Sequence, residues 1–105
     1  MTATVALDLR ETCITKLMAL EPDLRQAGIV RMSLFGSVAR GEATARSDVD
    51  LLVKFDPDAR MDLIRMIELE EYLGNQLGRV VQFTTEPIRN PYLRTSIEED
   101  LKVVF

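Results

Sequence analysis

A glycine–serine pair and two aspartates are the residues of this chain with the clearest potential for chemistry. Ten residues separate Ser37 from Asp48, and Asp48 and Asp50 lead into the apolar run Leu51–Val53. Because side chains alternate along a strand, the two aspartates leave the same face. Backbone N–H groups after a turn glycine such as Gly36 suit phosphate oxygens, and paired carboxylates suit Mg²⁺. The segment therefore predicts a site for a nucleoside triphosphate and its metal ion.

The composition limits the chemistry that this site can use. Cys13 is the only cysteine and histidine is absent, which excludes an internal disulfide, a thiolate-rich zinc site and an imidazole base. Catalysis would therefore depend on carboxylates, hydroxyls, cations and metal. Cys13 lies in a helix-like pattern, and we expect it to be a small buried residue.

Length and charge indicate the broad class of protein. We expect a single domain over residues 1–105 with one core. No stretch approaches the roughly 20 apolar residues of a membrane span, and no secretory signal is visible, so a cytoplasmic protein without membrane contact is expected. The net charge of −4 argues against direct nucleic-acid binding. Arg40 and Arg46 are local cations that can steer a nucleotide phosphate or remain solvated.

Hydrophobic periodicity indicates which elements hold the site. A strand ends at Phe35, Gly36 opens a short helix, and a second strand over residues 48–55 keeps its aspartates opposite the core. Gln82 lies on the polar face of a third strand, residues 79–84. Further helices are predicted at residues 7–20, 22–27, 61–77 and 91–99. The last five residues can extend the final helix or form a strand. The expected fold is α/β (α+β), a small mixed sheet of three to four strands packed with helices.

The predicted helix over residues 61–77 is amphipathic. Its apolar positions recur at helical spacing, and they are Met61, Leu63, Ile64, Ile67, Leu69, Tyr72, Leu73 and Leu77. This pattern predicts that they face the core.

The motif resembles the nucleotidyltransferase superfamily that includes DNA polymerase beta, whose signature is Gly-Ser, about ten residues, then Asp-x-Asp. Residues 35–43 and 47–53 are similar to its minimal nucleotidyltransferase (MNT) branch. The resemblance implies the polymerase-beta-like fold. It also implies that Gly36 and Ser37 hold the triphosphate of ATP, while Asp48 and Asp50 are catalytic and bind two Mg²⁺ ions.

One position departs from that family pattern. The strand after the long helix usually presents an Asp or Glu, and the matching residue here is Gln82. A glutamine carbonyl can ligate a hard cation, but it carries no charge and cannot act as a base at neutral pH. One Mg²⁺ ion instead of two is therefore possible, and Glu86 or Glu42 could replace the missing carboxylate.

The resemblance also implies a biological role. MNT proteins often accompany a HEPN-domain toxin as its antitoxin, and family members transfer AMP from ATP to a tyrosine of the toxin. One alternative is an active protein adenylyltransferase, and another is a weakened or inactive antitoxin that neutralises the toxin by binding alone. A third alternative, small-molecule nucleotidyltransfer, usually needs additional substrate-binding structure.

Overall fold

A computed structural model describes the backbone from Thr2 to Phe105 and the side chains from Asp8 onward. The elements are α1 (Thr2–Ala19), α2 (Glu21–Gln26), β1 (Ile29–Phe35), α3 (Gly36–Arg40), β2 (Val49–Phe55), α4 (Leu63–Leu77), β3 (Val81–Thr85), α5 (Pro91–Asp100) and β4 (Lys102–Val103). Between Thr2 and Phe105, no helix is long and apolar enough to cross a membrane.

The strands form one mixed sheet in the order β3-β2-β1-β4. β1 pairs antiparallel with both β2 and β4, whereas β2 and β3 are parallel. The parallel pair requires a crossover, and α4 supplies it. The four-stranded mixed sheet confirms the expected fold class, and the end of the chain forms a strand rather than an extension of α5.

The core lies between the sheet and the helices that pack on it. Its fully buried side chains include Leu17, Leu24, Met32, Leu34, Leu51 and Leu73. Cys13 is buried among them, as expected, and burial raises the pKa of its thiol despite the opposing charges of Arg79 and Lys16. The cysteine is therefore a core residue.

Two helices begin two or more residues away from the start that periodicity predicts. α1 begins at Thr2 instead of residue 7. α4 begins at Leu63 instead of residue 61, because the Asp62 side chain accepts a 2.8 Å hydrogen bond from the backbone N–H of Arg65. An aspartate in this capping position satisfies a donor that the first helical turn leaves unpaired.

The expectation that the apolar face of α4 points into the core is wrong for its first half. Leu63, Ile64 and Ile67 are 68%, 70% and 45% exposed, and Tyr72 is also exposed. Within α4 the buried position is Leu73. The helix therefore carries more apolar surface than this domain covers.

Candidate nucleotide and metal site

The sheet register brings the predicted site residues together. Asp50 lies on β2, and its Cα partners are Phe35 at the end of β1 and Gln82 on β3. Gly36 follows Phe35 directly, so the start of α3 lies against Asp50. Asp48 stands just before β2. One end of the sheet thus holds the glycine turn, both aspartates and Gln82.

Gly36 meets two requirements that no other residue type meets. Its φ of +79° lies in the left-handed region that glycine adopts at low cost. A Cβ atom built at this position would overlap the carboxylate of Asp50. Among the described side chains, none caps the first N–H groups of α3. Such groups suit phosphate oxygens, and Ser37 adds a hydroxyl beside them.

The two aspartates form an electrostatically strained pair. Burial raises the pKa of Asp50, the neighbouring charge of Asp48 raises it further, and Arg40 opposes the shift. Desolvation and like-charge repulsion both disfavour the ionised carboxylate. A divalent cation between these oxygen ligands would relieve both effects, so the donor set fits Mg²⁺.

Gln82 contacts the site, although its side chain is exposed. Its Nε2 atom donates a hydrogen bond to Asp48 Oδ2 over 3.0 Å. Gln82 thus lies on the exposed face of the third strand, beside Asp48. Among the side chains of residues 8–105, no three carboxylate, thiol or imidazole groups converge to hold a metal ion. A neutral amide thus stands beside two carboxylates.

The structure does not bring the suggested replacement carboxylates to this place. The backbone N–H of Glu86 bonds to Val53 O, and its carboxylate Oε1 lies 3.9 Å from Arg31 Nη1. Val53 lies three residues beyond Asp50 on β2, a separation of about 10 Å along a strand. Glu42 instead accepts a 3.0 Å hydrogen bond from Arg40 Nε.

Arg40 lies beside the site, but carboxylates hold its guanidinium group. In addition to Glu42, Asp100 Oδ2 accepts a 2.7 Å bond from Arg40 Nη1. Both hydrogen bonds raise the pKa of Arg40, and the bond to Glu42 has the larger effect. Its charge still lowers the pKa of Asp50, so it acts on the site electrostatically. Arg46 is exposed in the loop between α3 and β2.

Arg79 is a positioning residue that sequence reasoning missed. Its Nη1 atom donates to the carbonyl oxygens of Thr44 and Ser47, each over 2.9 Å, and so fixes the loop before Asp48. The available signal was its place at the start of the predicted strand that carries Gln82. No spacing rule linked that place to a loop more than 30 residues earlier.

Comparisons with known proteins agree with this geometry. Residues 17–104 match the family model described as a nucleotidyltransferase domain, and the chain belongs to that family. The chain is similar to protein adenylyltransferase MntA of Thermococcus cleftensis, with 39% identity over 85 residues that cover 79% of this chain and 84% of the relative.

Solved structures show the same fold. The structure of a candidate minimal nucleotidyltransferase has a TM-score of 0.73 and 34% identity, and the match covers 89% of this chain and 93% of that one. A second similar structure is that of a tri-AMPylated Shewanella oneidensis HEPN toxin in complex with MNT antitoxin. Its TM-score is 0.65 at 20% identity, and the match covers 91% of this chain and 71% of that one. At that identity the second likeness concerns the fold alone.

Proposed function

We propose that this chain is an MNT-type antitoxin that transfers AMP from ATP, with Mg²⁺, to a hydroxyl group of a HEPN-domain toxin, tyrosine being the expected acceptor. The observation that carries this proposal is the close approach of the Gly36 backbone to the Asp50 carboxylate. It joins a phosphate-binding turn to a metal-binding acid. The name of the Thermococcus relative supports a protein as the acceptor, and the resemblance to the MNT branch implies a HEPN-domain toxin.

Each site residue has a distinct role in binding the nucleotide. Gly36 and Ser37 hold the triphosphate through backbone N–H groups and a hydroxyl, and Arg40 adds positive charge beside them. Asp48 and Asp50 hold Mg²⁺. When bound, Mg²⁺ neutralises phosphate charge and orients the triphosphate for in-line attack.

The transfer itself exchanges one P–O bond for another. The acceptor oxygen forms a bond to the α-phosphorus, and the bond from that phosphorus to the α–β bridging oxygen breaks. Pyrophosphate leaves with the electron pair of the broken bond. The hydroxyl proton must go to an acceptor other than Gln82, whose amide cannot take it at neutral pH, and from there to solvent.

A second candidate function is neutralisation by binding alone. The hydrogen bond from Gln82 to Asp48 favours it, because an amide replaces the carboxylate that would help bind a second metal ion. In this case the chain binds nucleotide with one Mg²⁺ or none, and complex formation blocks the toxin.

A labelling experiment tests the enzymatic proposal. The chain is incubated with α-labelled ATP, Mg²⁺ and the HEPN-domain protein of the same genome, and label on protein is measured. The matched control is Gln82→Asp, which restores the third carboxylate. We expect label with the parent chain and more with the control. If the Gln82→Asp variant labels protein and the parent chain does not, transfer by the natural sequence is rejected.

Neutralisation in cells tests the binding-only alternative. The double variant Asp48→Ala/Asp50→Ala is expected to lose protection against the toxin if AMP transfer is the mechanism. Complex formation is measured in parallel by co-purification. Full protection by the double variant would favour binding alone.

A further inference from the structure

A groove lies between the second half of α4 and the start of β3. Its volume is about 740 Å³. The lining residues that matter here are Ile67, Glu70, Glu71, Gly74, Val80 and Val81. The groove therefore lies along the outer edge of the sheet, because β3 is the terminal strand.

The groove combines apolar and charged side chains, and a hydrogen bond ties its two walls together. Ile67 and Val80 are 45% and 62% exposed on its two sides. Glu70 Oε2 accepts a 2.8 Å hydrogen bond from the backbone N–H of Phe83, which ties α4 to β3. The apolar surface continues along α4 to Ile64. Contiguous exposed apolar surface of this kind marks interaction sites on many proteins.

Charge decides which partner suits this surface. Glu70 and Glu71 both line the groove; the Glu70 carboxylate also accepts the bond from Phe83, so Glu71 is the carboxylate that faces a partner without that contact. The cation Arg79 is occupied by the carbonyl groups of Thr44 and Ser47. A second copy of this chain would bring the same carboxylates and the same net charge of −4. A partner with basic side chains is complementary, and like charges suppress self-association.

The groove adjoins the end of the sheet that holds the candidate site. Val80 O accepts a 2.9 Å hydrogen bond from the backbone N–H of Val49, which stands between the two aspartates. Val81 lines the groove, and the next residue, Gln82, bonds to Asp48. A polypeptide bound in the groove would therefore lie beside the end of the sheet that carries Asp48 and Gln82, although the side chains of Val81 and Gln82 leave opposite faces of β3.

We propose that this groove docks the acceptor protein, through a segment whose apolar side chains are flanked by lysine or arginine and lie near the hydroxyl that receives AMP. The inference rests on the proposed function, because it assigns the surface through which the acceptor reaches the site. Apolar contacts provide the binding energy, and the carboxylates select a basic segment.

Charge and shape variants with matched controls test the docking surface. Val80→Lys changes the groove, and Val103→Lys makes the same change at the opposite sheet edge, where Val103 is 71% exposed. Glu71→Lys reverses a groove charge, and Glu68→Lys reverses an exposed charge outside the groove on the same helix. Binding to the immobilised HEPN-domain protein of the same genome is measured without nucleotide.

We expect Val80→Lys and Glu71→Lys to weaken binding at least tenfold, with the two controls within twofold of the parent. Unfolding midpoints confirm that all four variants fold. Affinity for a fluorescent ATP analogue should stay unchanged. A loss of nucleotide affinity in Val80→Lys would assign the groove to the nucleotide and overturn the proposal.

Other outcomes separate this inference from the proposed function. If the parent binds the HEPN-domain protein and all four variants bind equally well, the docking surface is wrong and the proposed function stands. If the parent does not bind, both fail. Sedimentation of the parent alone supplies a further test, because self-association abolished by Val80→Lys would assign the groove to a second copy.

Discussion

Replacing Gly36 with alanine tests the geometry on which the site depends. The change imposes a φ of +79° on a residue with a Cβ atom. Left-handed backbone costs an L-residue about 1–2 kcal/mol. Gly78 offers a matched control, because its φ is +70° and a Cβ atom there would meet nothing within 4 Å. Gly78→Ala should therefore show the conformational cost alone, about 4–16 °C in unfolding midpoint for a domain of this size.

Gly36→Ala carries a second cost, because the new Cβ overlaps the Asp50 carboxylate. Turning that carboxylate away from its preferred rotamer costs about 0.5–1.5 kcal/mol. The difference between the two glycine variants should therefore be about 0.5–1.5 kcal/mol. Mg²⁺–ATP can bind only when the carboxylate returns to its original position. The binding free energy is therefore reduced by the same amount, which weakens Mg²⁺–ATP affinity roughly twofold to tenfold.

A double-mutant cycle isolates this contact. In Asp50→Ala the overlapping oxygen is gone, and the remaining neighbour is the Cβ of residue 50 at 3.4 Å, an ordinary contact. On that background Gly36→Ala should cost no more than Gly78→Ala. Urea unfolding measures stability, and titration with a fluorescent ATP analogue measures affinity. Equal costs for both glycines in the parent, with unchanged nucleotide affinity, would refute the assigned geometry.

Three further predictions concern residues around the site and the core. Arg79→Ala should weaken nucleotide binding and speed amide exchange in the loop before Asp48, and unchanged exchange would contradict its positioning role. Asn90→Ala should cost about 0.5–2 kcal/mol in urea unfolding, because Asn90 caps α5, whereas nucleotide affinity should not change. The thiol of Cys13, with a pKa raised by burial, should react with a disulfide reagent at pH 8 only when urea unfolds the chain. Rapid labelling of the native protein would contradict its core position.

The convergence of the candidate site residues could be predicted from the sequence, because the strand and turn patterns that bring them together are local. Strand alternation alone places Asp48, Asp50 and Gln82 on the polar side of the sheet. The turn at Gly36 needs only a short return loop to reach the next strand. What the sequence could not show is that Gln82 donates a hydrogen bond to Asp48, because that contact depends on parallel pairing across a helical crossover.

Contacts between distant segments explain what sequence reasoning missed. Arg40 meets Asp100 across 60 residues, and Arg79 reaches Ser47 across 32. Hydrophobic periodicity records an apolar face but not what covers it, so α4 could be recognised as amphipathic while its first half was wrongly assigned to the core. Exposure of Leu63 and Ile64 is a property of the tertiary structure, because it depends on which other elements pack on α4.

The charge of the side chain at position 82 affects the two candidate functions, AMP transfer and binding alone, in opposite ways. Asp48 and Asp50 already repel each other, and burial adds to the raised pKa of Asp50. A third carboxylate at position 82 would increase this repulsion whenever the metal is absent, whereas the amide donates a hydrogen bond to Asp48. The site with glutamine is therefore better suited to the metal-free state and less suited to hold two ions. An antitoxin that acts by binding benefits from the first property, whereas an adenylyltransferase must obtain its full metal and proton chemistry without the carboxylate.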